Sequence, residues 1–521
     1  MCFASLSARN ADRVTLARLS AGYLPRAHVR SLRIRPLLAG LSVSLLAACA
    51  VGPDFKTPAP PQVKSYTAQP LATTASTPDV AGGAAQHLDQ ATDLPGDWWT
   101  LFHSKPLDVL IQQSLKNNPD LKAAQAALTV AHEDVLAQQG FYYPSATLGF
   151  SASRQRQPAT LGPVTNSNAD LYSLFTPQLN ISYSPDLFGL NRRQVESLQA
   201  QEQGVRFQMI AAWTTLTSNV VVTAVQMAAL QEQVDATQQM IDANKQMLDI
   251  LHYQYDKGYA SQIDVAAQET QLAQINATLP PLVKQLEQQR HLLAALVGEF
   301  PADAPTGEIA LADLQLPEDL PLSLPSKLVE QRPDVQQAEA NLHAASAQIG
   351  VAEANRFPNI EITGDAGHTA LAFSQLFKAG TGFWGVAADI TQPLFEGGTL
   401  MHQQRAAEAA YDEAAAQYRS TVLAAFQNVA DTLTALDQDA KALQTAAAAD
   451  QAAKRSLDLT EIQAKDGYAD PLQLLNAEQS YQQAHLAFVQ AQAERFDDTA
   501  ALYQALGGGW WHHADLAGES K

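Results

Sequence analysis

Two hydrophobic periods alternate along this chain. In "SATLGFSAS", Ala146, Leu148, Phe150 and Ala152 fall on one side, with Ser145, Thr147, Gly149, Ser151 and Ser153 on the other. "QLNISYS" sets Leu179, Ile181 and Tyr183 against Gln178, Asn180, Ser182 and Ser184. "NIEITGDAG" sets Ile360, Ile362, Gly364 and Ala366 against Asn359, Glu361, Thr363, Asp365 and Gly367. "WGVAADIT" sets Trp384, Val386, Ala388 and Ile390 against Gly385, Ala387, Asp389 and Thr391. Period two predicts four strands, near 144–154, 177–185, 358–368 and 383–393. Between and after them the pattern changes. Thr399 to Asp466 and Val205 to Lys257 contain no Gly or Pro and are dense in Ala, Gln, Leu and acids, which predicts very long helices. At about 1.5 Å per residue, a helix of ~60 residues is a rod of roughly 90 Å. Such a rod belongs to a coiled coil or helical barrel rather than to one globular core. Pro280-Pro281 is expected to kink or break the helix returning from the first rod.

The elements repeat. "NPDLKAAQAALTVAHEDVLAQQGFYYPSATLGF" from Asn118 aligns without a gap on "RPDVQQAEANLHAASAQIGVAEANRFPNIEITG" from Arg332, matching Pro119 with Pro333, Asp120 with Asp334 and Pro144 with Pro358. "KGYASQIDVAAQE" at Lys257 is echoed by "DGYADPLQLLNAE" at Asp466. The chain therefore reads as a tandem duplication: 97–310 and 311–506, each holding helices, two strands and a long helical hairpin, with tips near 256–264 and 464–476. Before the repeats, residues 49–96 are rich in Pro, Thr, Ala and Gln and read as an extended tether, with the ordered body expected from "DWWTLF" at Asp97. Residues 507–521 form a C-terminal tail, in which Trp510-Trp511-His512-His513 is expected to be loose.

The amino end carries its own address. Residues 1–48 hold seven arginines, one acid and the uncharged run "LLAGLSVSLLAA", too short to span a bilayer. That is the layout of a secretory signal. Leu46-Ala47-Ala48-Cys49 resembles the lipobox of bacterial lipoproteins, which implies S-diacylglycerol and an N-acyl group on Cys49 after cleavage before it. Ala50 at the next position favours, by the same resemblance, sorting to the outer membrane. Each buried methylene of such an anchor adds roughly 0.8 kcal/mol. With Cys2 in the leader, the mature chain has no free thiol, no disulfide and no Cys-based metal or redox site.

Seven of the 33 bases and one of the 53 acids lie in residues 1–48, so a chain starting at Cys49 carries 26 bases against 52 acids. That balance disfavours nucleic acid as a partner. No apolar stretch is long enough for a transmembrane helix, so any crossing must use strands. A sheet with one apolar and one wet face also suits a soluble fold. Against that stand Glu361, Asp365 and Asp389, which suit a water-filled lumen, and Phe150, Tyr183 and Trp384, which suit lipid headgroup level. Four strands cannot close a barrel, and an open edge in lipid strands backbone groups at several kcal/mol each. The barrel must be shared, and a conduit favours three or more copies, since eight strands give an interior filled by side chains.

"CAVGPDF", "DWWTLF", "LPSKLVEQRPDVQQAEANLHAASAQIGVAEANRFPNIEITGDAG" and "QPLFEGGTL" together resemble the TolC-like outer-membrane channel lipoproteins of tripartite efflux pumps, the NodT-type outer-membrane factors. The resemblance runs from Cys49 to about Leu506. It implies a mainly α fold with a small β part: a homotrimer whose helical hairpins form a periplasmic barrel and whose four strands per chain share an outer-membrane β-barrel. It also implies a passive conduit that docks with a periplasmic adaptor protein and an inner-membrane pump and exports drugs, metal ions or aromatic compounds. The periplasmic gate of such proteins lies where the long helices turn, here at Gly258 and Asp264 and at Gly467, Asp470, Gln473 and Asn476. Gly258 and Gly467 supply backbone freedom for the turns. Gln473 and Asn476 are neutral where relatives place a ring of carboxylates; Asp264 and Asp470 are either the remaining gate acids or solvated turn residues.

The competing reading is a periplasmic coiled-coil adaptor or scaffold lipoprotein, which would not need two symmetric pairs of strands. An enzyme finds no phosphate loop, metal spacing or nucleophile motif, and no cofactor is expected beyond the lipid. Six methionines give a copper-specific conduit no support.

Overall fold

A computed structural model describes residues 50–90, 92–156, 171–304, 309–465, 468 and 471–517. The leader, Cys49, Gly467 and Asp470 lie outside the described residues. The helices are α1 (Lys105–Asn117), α2 (Pro119–Gln139), α3 (Leu190–Asp256), α4 (Gln262–Val297), α5 (Pro325–Gln331), α6 (Pro333–Ala354), α7 (Thr399–Lys465), α8 (Pro471–Ala505) and the short α9 (Ala514–Ala517). The strands are β1 (His87–Asp89), β2 (Ser145–Arg156), β3 (Leu171–Tyr183), β4 (Asp319–Pro321), β5 (Asn359–His368) and β6 (Gly382–Thr391). The order α1-α2-β2-β3-α3-α4 recurs as α5-α6-β5-β6-α7-α8.

The two long helices, α3 and α7, have 67 residues each, about 100 Å of rod. Their returning partners are roughly half as long, with 36 residues in α4 and 35 in α8. The other half of each long helix packs against the short helices: α3 against α2 and α6, and α7 against α6. Helices start where the sequence offers caps. Asn118 Oδ1 accepts from the backbone N–H groups of Asp120 and Leu121, and Pro119 occupies the first turn of α2, where its missing N–H costs nothing.

Contrary to expectation, α4 runs unbroken through Pro280-Pro281. The carbonyls that lose their donors belong to Asn276 and Ala277, both exposed residues, so they stand where water can bond them.

The aromatic core sits where the short elements meet the middle of the rods. Trp98, Trp99 and Phe102 are buried on one 3-10 turn. Their rings pack on Tyr503 (5.3 Å), Trp213 (5.9 Å) and Phe496 (6.2 Å) respectively.

Order begins well before Asp97, which corrects the reading of a free tether. Phe55 stacks on His343 at 4.3 Å, and Tyr66 Oη donates to the Ser323 carbonyl at 2.8 Å. Strand β1 pairs in parallel with β4, and the buried Gln86 amide donates to Pro317 O at 3.1 Å and Thr499 Oγ1 at 2.9 Å. The reason lies in α8. Arg495 is buried there and needs acceptors, which the segment supplies as Gly82 O at 3.4 Å, while Leu436 O accepts at 3.0 Å.

The C-terminal aromatics are likewise packed rather than loose. Gly507, Gly508 and Gly509 all adopt positive φ and turn the chain back over the body. Trp510 Nε1 then donates to Gln331 O at 2.7 Å, His512 bonds Asp93 at 3.0 Å, and the His513 ring meets Trp213 edge-on at 5.0 Å.

Candidate functional site

Strands β2, β3, β5 and β6 form one antiparallel sheet in that order. Its register keeps every expected apolar position on one face: Leu148 opposes Leu179, Tyr183 opposes Ile362, Ile360 opposes Ile390 and Ala366 opposes Trp384. That face is bare in the chain, with Leu148 83 %, Trp384 79 % and Val386 73 % exposed. A soluble sheet would bury these side chains. The outer edges of β2 and β6 pair with no other strand among the described residues.

Strand β3 starts at Leu171, six residues before the expected Pro177, and carries the proline inside it. Phe175 and Ala370 exchange both backbone bonds (2.9 and 3.1 Å), so the next such pair would be Pro177 with His368, where the proline has no N–H to give. The β3–β5 ladder accordingly resumes only at Gln178–Gly367. Gly367 is required there: a Cβ on it would lie 2.4 Å from the Pro177 carbonyl oxygen.

The opposite face gathers the three expected lumen acids. Glu361 pairs with Asp389, and Asp365 pairs with Asn180 on one side and Gly385 on the other. The Asp365 carboxylate fills the space a side chain at Gly385 would need, 2.8 Å from the Cβ position. Ser182 Oγ donates to Glu361 at 2.7 Å, and Gln178 Nε2 donates to Asn180 at 2.7 Å. The middle of this face is mostly polar, while Leu174 and Phe383 join it toward the end away from the helices.

At the far end of the rods, Gly258 holds φ +81° and ends α3 with the paired bonds Gly258 N–H to Tyr255 O and Tyr259 N–H to Gln254 O, at 2.9 and 2.8 Å. The second tip closes with the matching bond, Tyr468 N–H to Gln463 O at 2.8 Å. Asp264 is committed to structure: it accepts from the Ser261 N–H at 2.8 Å while Ser261 Oγ accepts from the Asp264 N–H at 3.2 Å, a capping box that starts α4. Gln473 and Asn476 are exposed on α8.

What joins the two repeats near the tips is a set of amides that the sequence reading missed. Gln479 Nε2 on α8 donates to Gln271 at 3.0 Å and Gln274 at 3.3 Å on α4, and Gln482 reaches Thr278 at 3.4 Å. Behind them Gln268 donates to Asn244 at 2.8 Å. The signal was present as glutamines at every third position of α4 (268, 271, 274) and at 479 and 482 on α8. Glu478 lies beside this seam. Burial pushes its carboxyl up to about 7 against the Asn244 hydrogen bond, and Glu461 adds to the rise.

Residues 110–299 and 324–508 match the outer membrane efflux protein family, two segments that span α1 to α4 and α5 to α8. The chain belongs to the outer membrane efflux protein family. It is similar to a pyoverdine export outer membrane protein, OpmQ, of Pseudomonas putida, 30% identical over 474 residues that cover 90% of this chain and 96% of the relative. A toluene efflux pump outer membrane protein, TtgC, of the same species is 29% identical over 481 residues, 91% of this chain and 96% of the relative. The solved outer-membrane channel OprN superposes with a TM-score of 0.77 at 27% identity, covering 89% of this chain and 100% of that one. This outer membrane efflux protein is thus the outer-membrane channel component of an efflux system, of a family of channels, and the scaffold reading falls. No helix among the described residues is long and apolar enough to cross a membrane.

Proposed function

We propose that three copies of this chain close a twelve-stranded barrel, continued by a helical barrel in the periplasm, and that the assembly is a passive exit for small molecules delivered by an inner-membrane pump through a periplasmic adaptor. The observation that carries this is the four-stranded sheet whose two edges are open among the described residues and whose apolar face is bare. In lipid each unpaired edge group costs several kcal/mol, and closure by neighbouring copies removes the edges. Glu361, Asp365 and Asp389 then line a wet lumen. Selection rests with the pump: relatives of this one architecture are named for compounds as different as toluene and pyoverdine.

Lipid on Cys49 fits the same geometry. Ala50 abuts Gly189, and the Val51 N–H donates to Phe188 O at 3.1 Å, so the chain emerges at the junction of β3 and α3. Exposed Phe141, Tyr143, Leu394 and Phe395 stand on the segments joining the sheet to the helices, as at a membrane surface. The acyl chains would enter lipid beside them. The amides of Gln271, Gln274, Gln479 and Gln482 join the two repeats near the tips.

Mass measurement in detergent and conductance in planar bilayers test the proposal. A trimer that conducts ions supports it. A monomer without conductance, or an oligomer that becomes water-soluble once the acyl anchor is removed, overturns it.

A further inference from the structure

The β5–β6 connection, residues 369–381, lies at the end of the sheet away from the helices, where a cap over the pore mouth is one obvious use. It does not fold toward the polar face. The Phe373 ring meets Phe150 at 6.3 Å and Phe175 at 6.0 Å, both edge-to-face, and these two belong to the apolar face, since Phe150 pairs with Pro177 and Phe175 with Ala152. Phe377 meets His368 at 5.3 Å, and His368 continues the apolar row of Ile360, Ile362, Gly364 and Ala366.

The connection is fastened there. Ala370 exchanges backbone bonds with Phe175, the Thr369 N–H donates to Thr381 O at 2.8 Å, and Thr381 Oγ1 donates to Leu376 O at 2.7 Å. Leu376 is 2 % exposed beneath it, while Phe373 and Phe377 remain 67 % and 77 % exposed. Two phenylalanines held on a fixed frame, with the exposed Lys378 next to Phe377 in sequence and free of ion pairs among the described residues, continue the bare face that the conduit reading places in lipid. Aromatic rings with a cation beside them suit the boundary between acyl chains and charged headgroups.

We infer that the 369–381 connection is a lipid-binding collar that seats Phe373 and Phe377 at the headgroup boundary of the outer leaflet, with Lys378 facing a lipid phosphate, and leaves the pore mouth uncovered by this segment. The inference rests on the conduit reading. Its partner is the lipid surface rather than a second protein.

The full-length trimer tests it, because the only mature thiol, at Cys49, is the proposed acylation site. Phe377→Cys and, as a control on the sheet face, Val386→Cys are each labelled with an environment-sensitive fluorophore. The protein is reconstituted in vesicles of anionic and zwitterionic phospholipid bearing a nitroxide either near the headgroup or near the chain end. The expected result is loss of emission at both sites, with the shallow nitroxide dominating at 377 and iodide in the water having little effect there. Quenching of 386 by lipid with 377 open to iodide overturns the collar alone and leaves the conduit intact. A label at 377 shielded from both lipid and iodide overturns it also, in favour of a protein cover. If neither site senses lipid, the conduit reading fails and the collar with it. Phe377 touches only His368 among rings, so its replacement leaves the fold in place; Lys378→Cys gives a second site one residue on, with the same shallow quenching expected.

Discussion

Glu361 of β5 stands directly opposite Asp389 of β6, so two carboxylates share one step of the ladder on the polar face of the sheet. Like charges in that relation are destabilising by roughly 0.2–1 kcal/mol, a cost that water in a lumen moderates. Asp389→Asn is therefore expected to stabilise the sheet by a few tenths of a kcal/mol while lowering the preference for cations. The reversal potential of the reconstituted channel in a salt gradient measures that preference. An unchanged potential in the double variant with Glu361→Gln would remove both carboxylates from the conduction path.

The amide seam between α4 and α8 predicts a leak. Neutral hydrogen bonds contribute about 0.5–1.5 kcal/mol each. Replacing Gln479 and Gln482 by alanine removes three of them, so the tip arrangement seen here should lose about 1.5–4.5 kcal/mol. Spontaneous openings in single-channel records should become more frequent. Because the partners carry no charge, the amide seam of the parent protein should respond weakly to salt, unlike one held by ion pairs.

Buried acids give the helical body a defined pH response. Burial raises Glu478 from 4.5 to about 7; it also raises Asp497 from 3.8 to about 7, against the hydrogen bond from Gln226 and with Glu494 adding to the rise. In both cases the folded chain holds its proton more tightly than the unfolded chain. The associated stability is fully present below about pH 4 and is lost as pH rises through about 7. The melting temperature in detergent should fall over that window, and Asp497→Asn with Glu478→Gln should flatten the curve.

Arg495 predicts what holds the amino-terminal segment down. Its guanidinium donates to Gly82 O, Thr74 Oγ1 and Leu436 O, and its removal takes a buried donor from the Gly82 carbonyl. A buried acceptor left without its donor costs about 1–3 kcal/mol. Arg495→Ala should expose residues 74–89 to limited proteolysis while the sheet, remote from it, keeps its circular dichroism.

These four sites differ in how much of each the sequence revealed. The strands were legible because alternation survives when one face meets lipid and the other water, and Glu361, Asp365 and Asp389 were assigned to their face from it. The long helices were legible from the absence of Gly and Pro. The amino-terminal segment was not, since its partners, such as Thr499 for Gln86, lie 413 residues away and it has no period of its own. Pro280-Pro281 misled because the cost of a helical proline depends on whether the freed carbonyls reach water, and here Asn276 and Ala277 do. Asp264 drew attention as an acid at a tip, yet Ser261 three residues earlier had already marked it as half of a capping box.

The lipid proposed on Cys49 and the apolar sheet face would be two separate holds on the membrane, and they can be told apart. Cys49→Ala would remove the proposed acyl chains, each worth roughly 0.8 kcal/mol per buried methylene. It does not touch the sheet, whose register and exposed face are set by β2, β3, β5 and β6. Incorporation of radiolabelled palmitate should vanish, while the trimer, given a non-lipid signal sequence, should still resist extraction by alkaline carbonate. Val386→Lys does the converse. It keeps the anchor but places a cation on the lipid face, at about 2–4 kcal/mol per chain near the bilayer midplane. Palmitate labelling should persist and carbonate resistance should fall. If instead the loss of lipid alone released the protein, the sheet would not be the element that spans, and the bare face of Leu148, Trp384 and Val386 would need another cover.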